Sequence, residues 1–257
     1  MPMTEIPSRT DGGVRSITRA VDLLALFESE HPARTLREIV TLTELPKTTV
    51  LRLLGTLTTL GLVSARQDGC YGLGATFLSW VRLAQSVWEV NAETRRVMHE
   101  LVDACGETVN VYIRQDVHRM SIAQQAGTAT VRSVVEVGVP LPLAQGAAAK
   151  VLLGGVPPVV WQALAVEYPE TDVDGLHREA ASTAELGYAI THGERELGAS
   201  SVATPIRNRD GRVIAALSVS GPTSRFTADR VGGYVDAVTA AAQRISATGL
   251  GNVEVYL

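Results

Sequence analysis

Lys47, Thr48, Thr49 and Arg52, followed by Thr56 and Thr59, bring long cations and small hydroxyls mostly onto one side of a predicted helix. Such side chains donate hydrogen bonds to phosphate oxygens and to base edges, and no carboxylate among them would repel a polyanion. Between positions 45 and 67 the chain carries Lys47, Arg52 and Arg66 and no acid. Residues 9–74 hold eight Lys/Arg against seven Asp/Glu, a net of +1, although the whole chain is at −4. Local charge, not the total, sets affinity for a duplex.

The elements around this helix are written in local signals. A first helix is predicted after Ser16 as its N-cap, with Ile17, Ala20, Val21, Leu24 and Phe27 on one face. Thr35 followed by Glu38 makes a capping box for a second, which turns Leu36, Ile39 and Val40 inward. Leu42–Leu45 is short enough for a tight corner. Pro46 stands where its missing N–H costs nothing at the start of the third helix, and Gly61 ends that helix. The opposite side of the third helix is the apolar stripe Val50, Leu53, Leu54, Leu57 and Leu60. Residues 62–66 and 70–73 then flank Asp68-Gly69, a strong hairpin signal. Three helices and a hairpin make a winged helix.

Beyond it, residues 75–105 read as a long helical reach with a break near Trp88–Asn91. Phe77, Val81, Ala84, Val87 and Trp88 form an apolar seam on its first part. Thr108–Arg114 with His118–Ala126, and Ser200–Arg207 with Arg212–Ser220, read as paired strands; 146–154, 174–186 and 227–247 read as helices. Asn208–Gly211 is a turn-rich joint, and Thr227 with Asp229 suits a helix start. The fold class is therefore α+β. The expected organisation is a disordered tail over 1–13, a winged helix-turn-helix over 14–74 and a linker helix over 75–90. A second domain over 91–248 and a C-terminal tail over 249–257 complete it.

Several blocks, in order, resemble the IclR family of bacterial transcriptional regulators. They are Ser16–Leu24, Leu45–Val50 with Arg52–Leu54, Tyr71–Gly74, Gly106–Asn110, Leu141–Leu143, Ala149-Lys150 and Asp210–Pro222, and the last is the most specific. The resemblance covers roughly residues 14–248. It implies a GAF-like effector-binding domain whose sheet covers a ligand pocket. It also implies DNA contacts from Lys47, Thr48, Thr49 and Arg52, with Arg19 and Thr35 near phosphate and Arg66 and Tyr71 on the wing. Carried over by position, the pocket would be lined by Gln145, Gly146, Ala147, Ala148, Thr191, Ala199, Ser201, Ser218 and Ser220. Small residues at a helix start would leave N–H groups free for a carboxylate. Ser218 and Ser220, two apart on a strand, would face the same way. The sequence departs from the common pattern at Ala144-Gln145-Gly146 and at Thr191, where an acid is frequent. A pocket of neutral hydroxyls and one amide suits a small carboxylate or aromatic acid. The expected partners are a double-stranded DNA operator, a small effector, and a second copy in a homodimer, with pairing into a tetramer left open.

Rival functions find little footing. Gly72-Leu73-Gly74 starts like a dinucleotide fingerprint, but Phe77 takes the third glycine position. There is no Walker A or GxSxG motif, and His99-Glu100 lacks the second histidine of a zincin. The five histidines are scattered, and Cys70 and Cys105 have no zinc spacing. No catalytic residue, metal site or cofactor is expected. A metabolic enzyme without a recognisable motif, or an oligomerising scaffold with a vestigial winged helix, remain the alternatives. No apolar run reaches the roughly 20 residues of a membrane span. The first residues lack a signal sequence, so a cytoplasmic protein with reduced thiols is expected.

Overall fold

The computed structural model describes residues 14–257; the tail expected over 1–13 lies outside them. The chain divides into two compact units, Met1–Ser86 and Val87–Leu257.

The first unit contains α1 (Arg15–Leu24), β1 (Ala33–Thr35), α2 (Leu36–Thr43), α3 (Lys47–Thr59), β2 (Val63–Ala65) and β3 (Cys70–Leu73). The capping box at α2 is present: the Thr35 hydroxyl accepts from Glu38 N–H while the Glu38 carboxylate accepts from Thr35 N–H. The start of α1 differs from expectation. It begins at Arg15, and the residue before it, Val14, makes no side-chain cap, so Ser16 is already helical. Of its predicted face, Ala20, Leu24 and Phe27 pack against the core, but Ile17 and Val21 are exposed and Leu23 is fully buried instead. The helix is apolar on more than one side, and packing against Ile39 and Val50 selected the Leu23–Leu26 side.

Strand β1 was not predicted. Its three residues pair with the wing, Arg34 opposite Tyr71, giving a three-stranded sheet of order β1-β3-β2. At the wing's exit the backbone of Gly74 lies against that of Gly61, and a Cβ at 74 would fall 2.0 Å from the Gly61 oxygen. Gly74→Ala is therefore expected to cost about 1–3 kcal/mol of stability through overpacking. Urea unfolding followed by circular dichroism checks this; an unchanged midpoint would contradict the close approach.

Helix α4 (Thr76–Trp88) leads to the second unit: α5 (Ala92–Cys105), β4 (Thr108–Gln115), β5 (His118–Gln125), β6 (Pro140–Pro142) and α6 (Ala147–Leu152). There follow α7 (Pro158–Glu167), α8 (Val173–Leu186), β7 (Ala189–His192), β8 (Ala199–Arg207), β9 (Val213–Pro222) and α9 (Ala228–Thr248). The strands form one antiparallel sheet of order β6-β5-β4-β9-β8-β7. Helix α7 and strands β6 and β7 carried no clear sequence signal.

Alternation sorts each strand between two cores. Val109, Val111, Leu217 and Val219 pack with α5 and α9 on one face, while Tyr112, Ala203 and Ala216 pack with α6 and α8 on the other. Residues 249–257, expected as a tail, are folded, with Leu250 and Val253 fully buried. Among the described residues no helix is long and apolar enough to cross a membrane.

Candidate functional site

Helix α3 owes its orientation to its leucines. Val50, Leu54 and Leu57 form much of the first unit's core, and this turns Lys47, Thr48 and Arg52 to solvent, with Thr49 half-buried. The first turn of α3 holds no acid. Thr56 and Thr59 are exposed, but their hydroxyls donate to the carbonyls of Arg52 and Gly55, each at 3.0 Å, one turn back. The free donors of this face are thus concentrated in its first two turns.

The remaining positions expected near DNA fare differently. Arg19 is exposed on α1. The Thr35 hydroxyl donates to Glu38 Oε2 at 2.7 Å, so it is committed to the cap and sits beside a carboxylate. The hydrogen bonds from Thr35 hold the Glu38 carboxyl below its usual range, keeping that negative charge in place. This makes Thr35 a poor phosphate contact. Arg66 is paired with Asp68 at 2.9 Å on the wing tip, both half exposed. Tyr71 is half-buried against the core, so its ring serves the fold.

In the second unit a cavity of about 460 Å³, its open mouth included, lies on the α6 side of the sheet. Gly146, Ala147, Ala148, Thr191, Ala199, Ser201, Ser218 and Ser220 all line it. Gln145 does not: its side chain is exposed, and only its carbonyl takes part, accepting from Arg119 Nη1 at 2.5 Å.

The first N–H groups of this corner are not free, contrary to expectation. Gly146 N–H donates to Glu194 Oε2 at 3.0 Å, and Ala147 N–H donates to the Thr191 hydroxyl at 3.2 Å. Thr191 in turn bonds Ser201 at 3.1 Å. Nor is the lining neutral. Tyr112, Arg119, Glu194 and Arg195 all contribute to it. Arg119 is 4% exposed, and its burial pulls the guanidinium down to about 10. Its Nη1 also donates to the Pro142 carbonyl, and its guanidinium lies 5.7 Å from the centre of the Tyr112 ring. Burial raises the Tyr112 phenol above its ordinary value, so that hydroxyl stays protonated. Gly146 has φ +91, and a Cβ there would meet Arg119 Nη2 at 3.4 Å, so glycine alone fits without strain.

Sequence reasoning passed over Arg119. The signal was an arginine two residues before Ser121 on a strand whose other face is Met120 and Ile122, which places a cation on an inward-facing row.

A family model described as the IclR helix-turn-helix domain matches residues 16–67, and one described as the bacterial transcriptional regulator IclR C-terminal matches residues 83–247. The HTH-type transcriptional regulator KipR of Bacillus subtilis is 30% identical over 241 residues, 90% of this chain and 96% of its own. A crystal structure of an IclR-family transcriptional regulator from Rhodococcus sp. shares 45% identity, covering 98% of this chain and 100% of that one, with a TM-score of 0.63. An IclR homolog from Microbacterium hydrocarbonoxydans, solved with 4-hydroxybenzoate, shares the fold at 23% identity. It covers 93% of this chain and 99% of that one, with a TM-score of 0.71.

Proposed function

This chain belongs to the IclR family of bacterial transcriptional regulators, and from that premise we propose that it reads DNA through the Lys47–Arg52 face of α3 and answers to a small anion in the cavity. The chain is a DNA-binding transcriptional regulator whose operator binding is modulated by a small-molecule effector, and it is not an enzyme. One observation carries the proposal: the acid-free cationic side of α3 faces solvent while Val50, Leu54 and Leu57 are buried, although Leu60 of the predicted stripe is exposed past the helix end. Lys47, Thr48, Thr49 and Arg52 make the groove contacts, with Arg19 and Arg66 at flanking phosphates.

The effector site is the cavity itself. Its small hydroxyls and buried arginine suit a small carboxylate or aromatic acid, and a regulator of the same fold holds 4-hydroxybenzoate. For the effector to act, it must bind more tightly to one of two states that differ in DNA affinity.

The working species is a homodimer, the form that presents two recognition helices to two half-sites, in the cytoplasm. Its seam lies on α4, none of whose residues is buried, with Leu78, Trp80, Val81 and Leu83 between 49% and 77% exposed. Of the seam expected from sequence, Trp88 is spoken for, its ring 5.5 Å from that of Tyr256.

The test is a fluorescence anisotropy titration of the full chain on duplex selected from a random pool, with and without candidate organic acids. Ser218→Ala and Ser220→Ala should weaken the response to an active acid about fivefold to tenfold, a loss of about 1 kcal/mol per hydrogen bond. Both variants should still bind the duplex. If both respond like the wild type across the titration, the cavity is not the effector site.

A further inference from the structure

Glu194 lies in the loop between β7 and β8, and its carboxylate is held at the cavity. Besides the Gly146 N–H, it accepts from Lys150 Nζ at 2.5 Å. Lys150 is 8% exposed and also meets Glu179 at 3.0 Å, so its charge is balanced within the protein. Beside Gly146 also stands Arg119, which among the described residues makes no ion pair and feels Glu194 and the cation Arg195 only at longer range. Its bonds run from Nη1 to two carbonyls, and its Nε has no partner. Among the described residues no carboxylate lies within ion-pair distance of it. A buried cation without a counter-ion is costly, and a ligand's negative charge removes that cost.

The rest of the sheet face agrees. Among the described residues the buried side-chain atoms without a hydrogen-bond partner are Arg119 Nε, Asn110 Nδ2 and Ser220 Oγ. They sit on the neighbouring strands β5, β4 and β9, and each of the three can donate. Two of them, Arg119 Nε and Ser220 Oγ, belong to residues that line the cavity, which thus offers an unpaired cation and unmet donors, whereas the Lys150 corner already holds a carboxylate.

We infer that Glu194 is a tethered carboxylate filling one of two adjacent anion corners, so that the effector is a mono-anion paired with Arg119 and a second carboxylate is refused. The inference rests on the cavity's being the effector site, and it names a specificity-determining residue of that site. A dicarboxylate would set its second charge against Glu194, whereas a monocarboxylate places its single charge on the Arg119 side of the cavity, which Arg195 also lines.

Acetate and malonate serve as probes, titrated into the ¹⁵N-labelled full chain while the arginine Nε–H signals are followed, with Arg119→Lys identifying the Arg119 signal. In the wild type, acetate should saturate a shift at Arg119, and malonate should bind no more tightly than acetate. In Glu194→Gln, which keeps an acceptor but removes the charge, malonate should gain about tenfold while acetate changes by less than about twofold. Glu194→Ser is the second variant, and the same gain is expected there should the glutamine variant not fold. The assignment is overturned if acetate leaves Arg119 unmoved, if malonate outbinds acetate in the wild type, or if neither variant gains malonate affinity. A duplex-binding titration run without any acid separates the two readings. Duplex bound with Arg119 unmoved sinks the mono-anion assignment alone, whereas Arg119 saturated by acetate with no duplex bound sinks the regulator's DNA face alone.

Discussion

Replacing Lys47 and Arg52 together with alanine is expected to weaken binding to a selected duplex by roughly 10²-fold or more, since each cation contributes about 1–3 kcal/mol. Both side chains are exposed on α3, and neither supports the core built by Val50, Leu54 and Leu57, so the melting temperature should barely move. The single variants separate their roles. Loss of a phosphate contact lowers the slope of log affinity against log salt by about one unit. Loss of a base contact leaves that slope nearly unchanged and relaxes preference at one position instead. Lys47, at the first position of α3, is expected to behave in the first way, and Arg52, in its second turn, in the second. A double variant that binds like the wild type at every salt concentration would remove this face from the interface.

Arg225→Ala is expected to destabilise the second unit by about 3 kcal/mol, the lower end of the range for breaking a buried pair. Glu107 is 1% exposed, and Arg225 meets it twice, from Nε at 2.5 Å and from Nη2 at 2.7 Å. The same Nη2 donates to the Val131 carbonyl at 2.9 Å, tying the segment that bears the cavity residues Ser133 and Val135. Removing the arginine leaves a carboxylate buried without its counter-charge, and the partial exposure of Arg225 keeps the loss from being larger. Adding Glu107→Gln should restore part of the loss, because a neutral amide costs less to bury than an unpaired charge. Chemical denaturation of the single and double variants measures this. A double variant no more stable than Arg225→Ala would show that the arginine acts through packing instead of charge.

The helix-turn-helix was legible because its punctuation is local. The Thr35–Glu38 box, Pro46, Gly61 and Asp68-Gly69 each act within a few residues of themselves. Strand β1 was not, since three residues become a strand only by pairing with β3, nearly 40 positions on. The face of α1 was legible at Ala20, Leu24 and Phe27 but not at Ile17 and Val21, because periodicity cannot say how far along and around a helix its partners cover an apolar face.

At the cavity, eight lining positions followed from the family resemblance, but its charge did not. The Gly146 N–H is satisfied by a carboxylate 48 residues away, and Arg119 becomes an unbalanced cation only once β4, β5 and β9 are laid side by side. No short stretch of sequence carries either fact.

Methylation interference on a selected duplex reports whether α3 enters the major groove, because a methyl group at guanine N7 lies on that groove's edge. One or more methylated guanines should block binding of the wild type, and Arg52→Ala should lose sensitivity at one of them. Binding indifferent to N7 methylation at every guanine of the selected site, by both proteins, would contradict the entry of α3 into that groove.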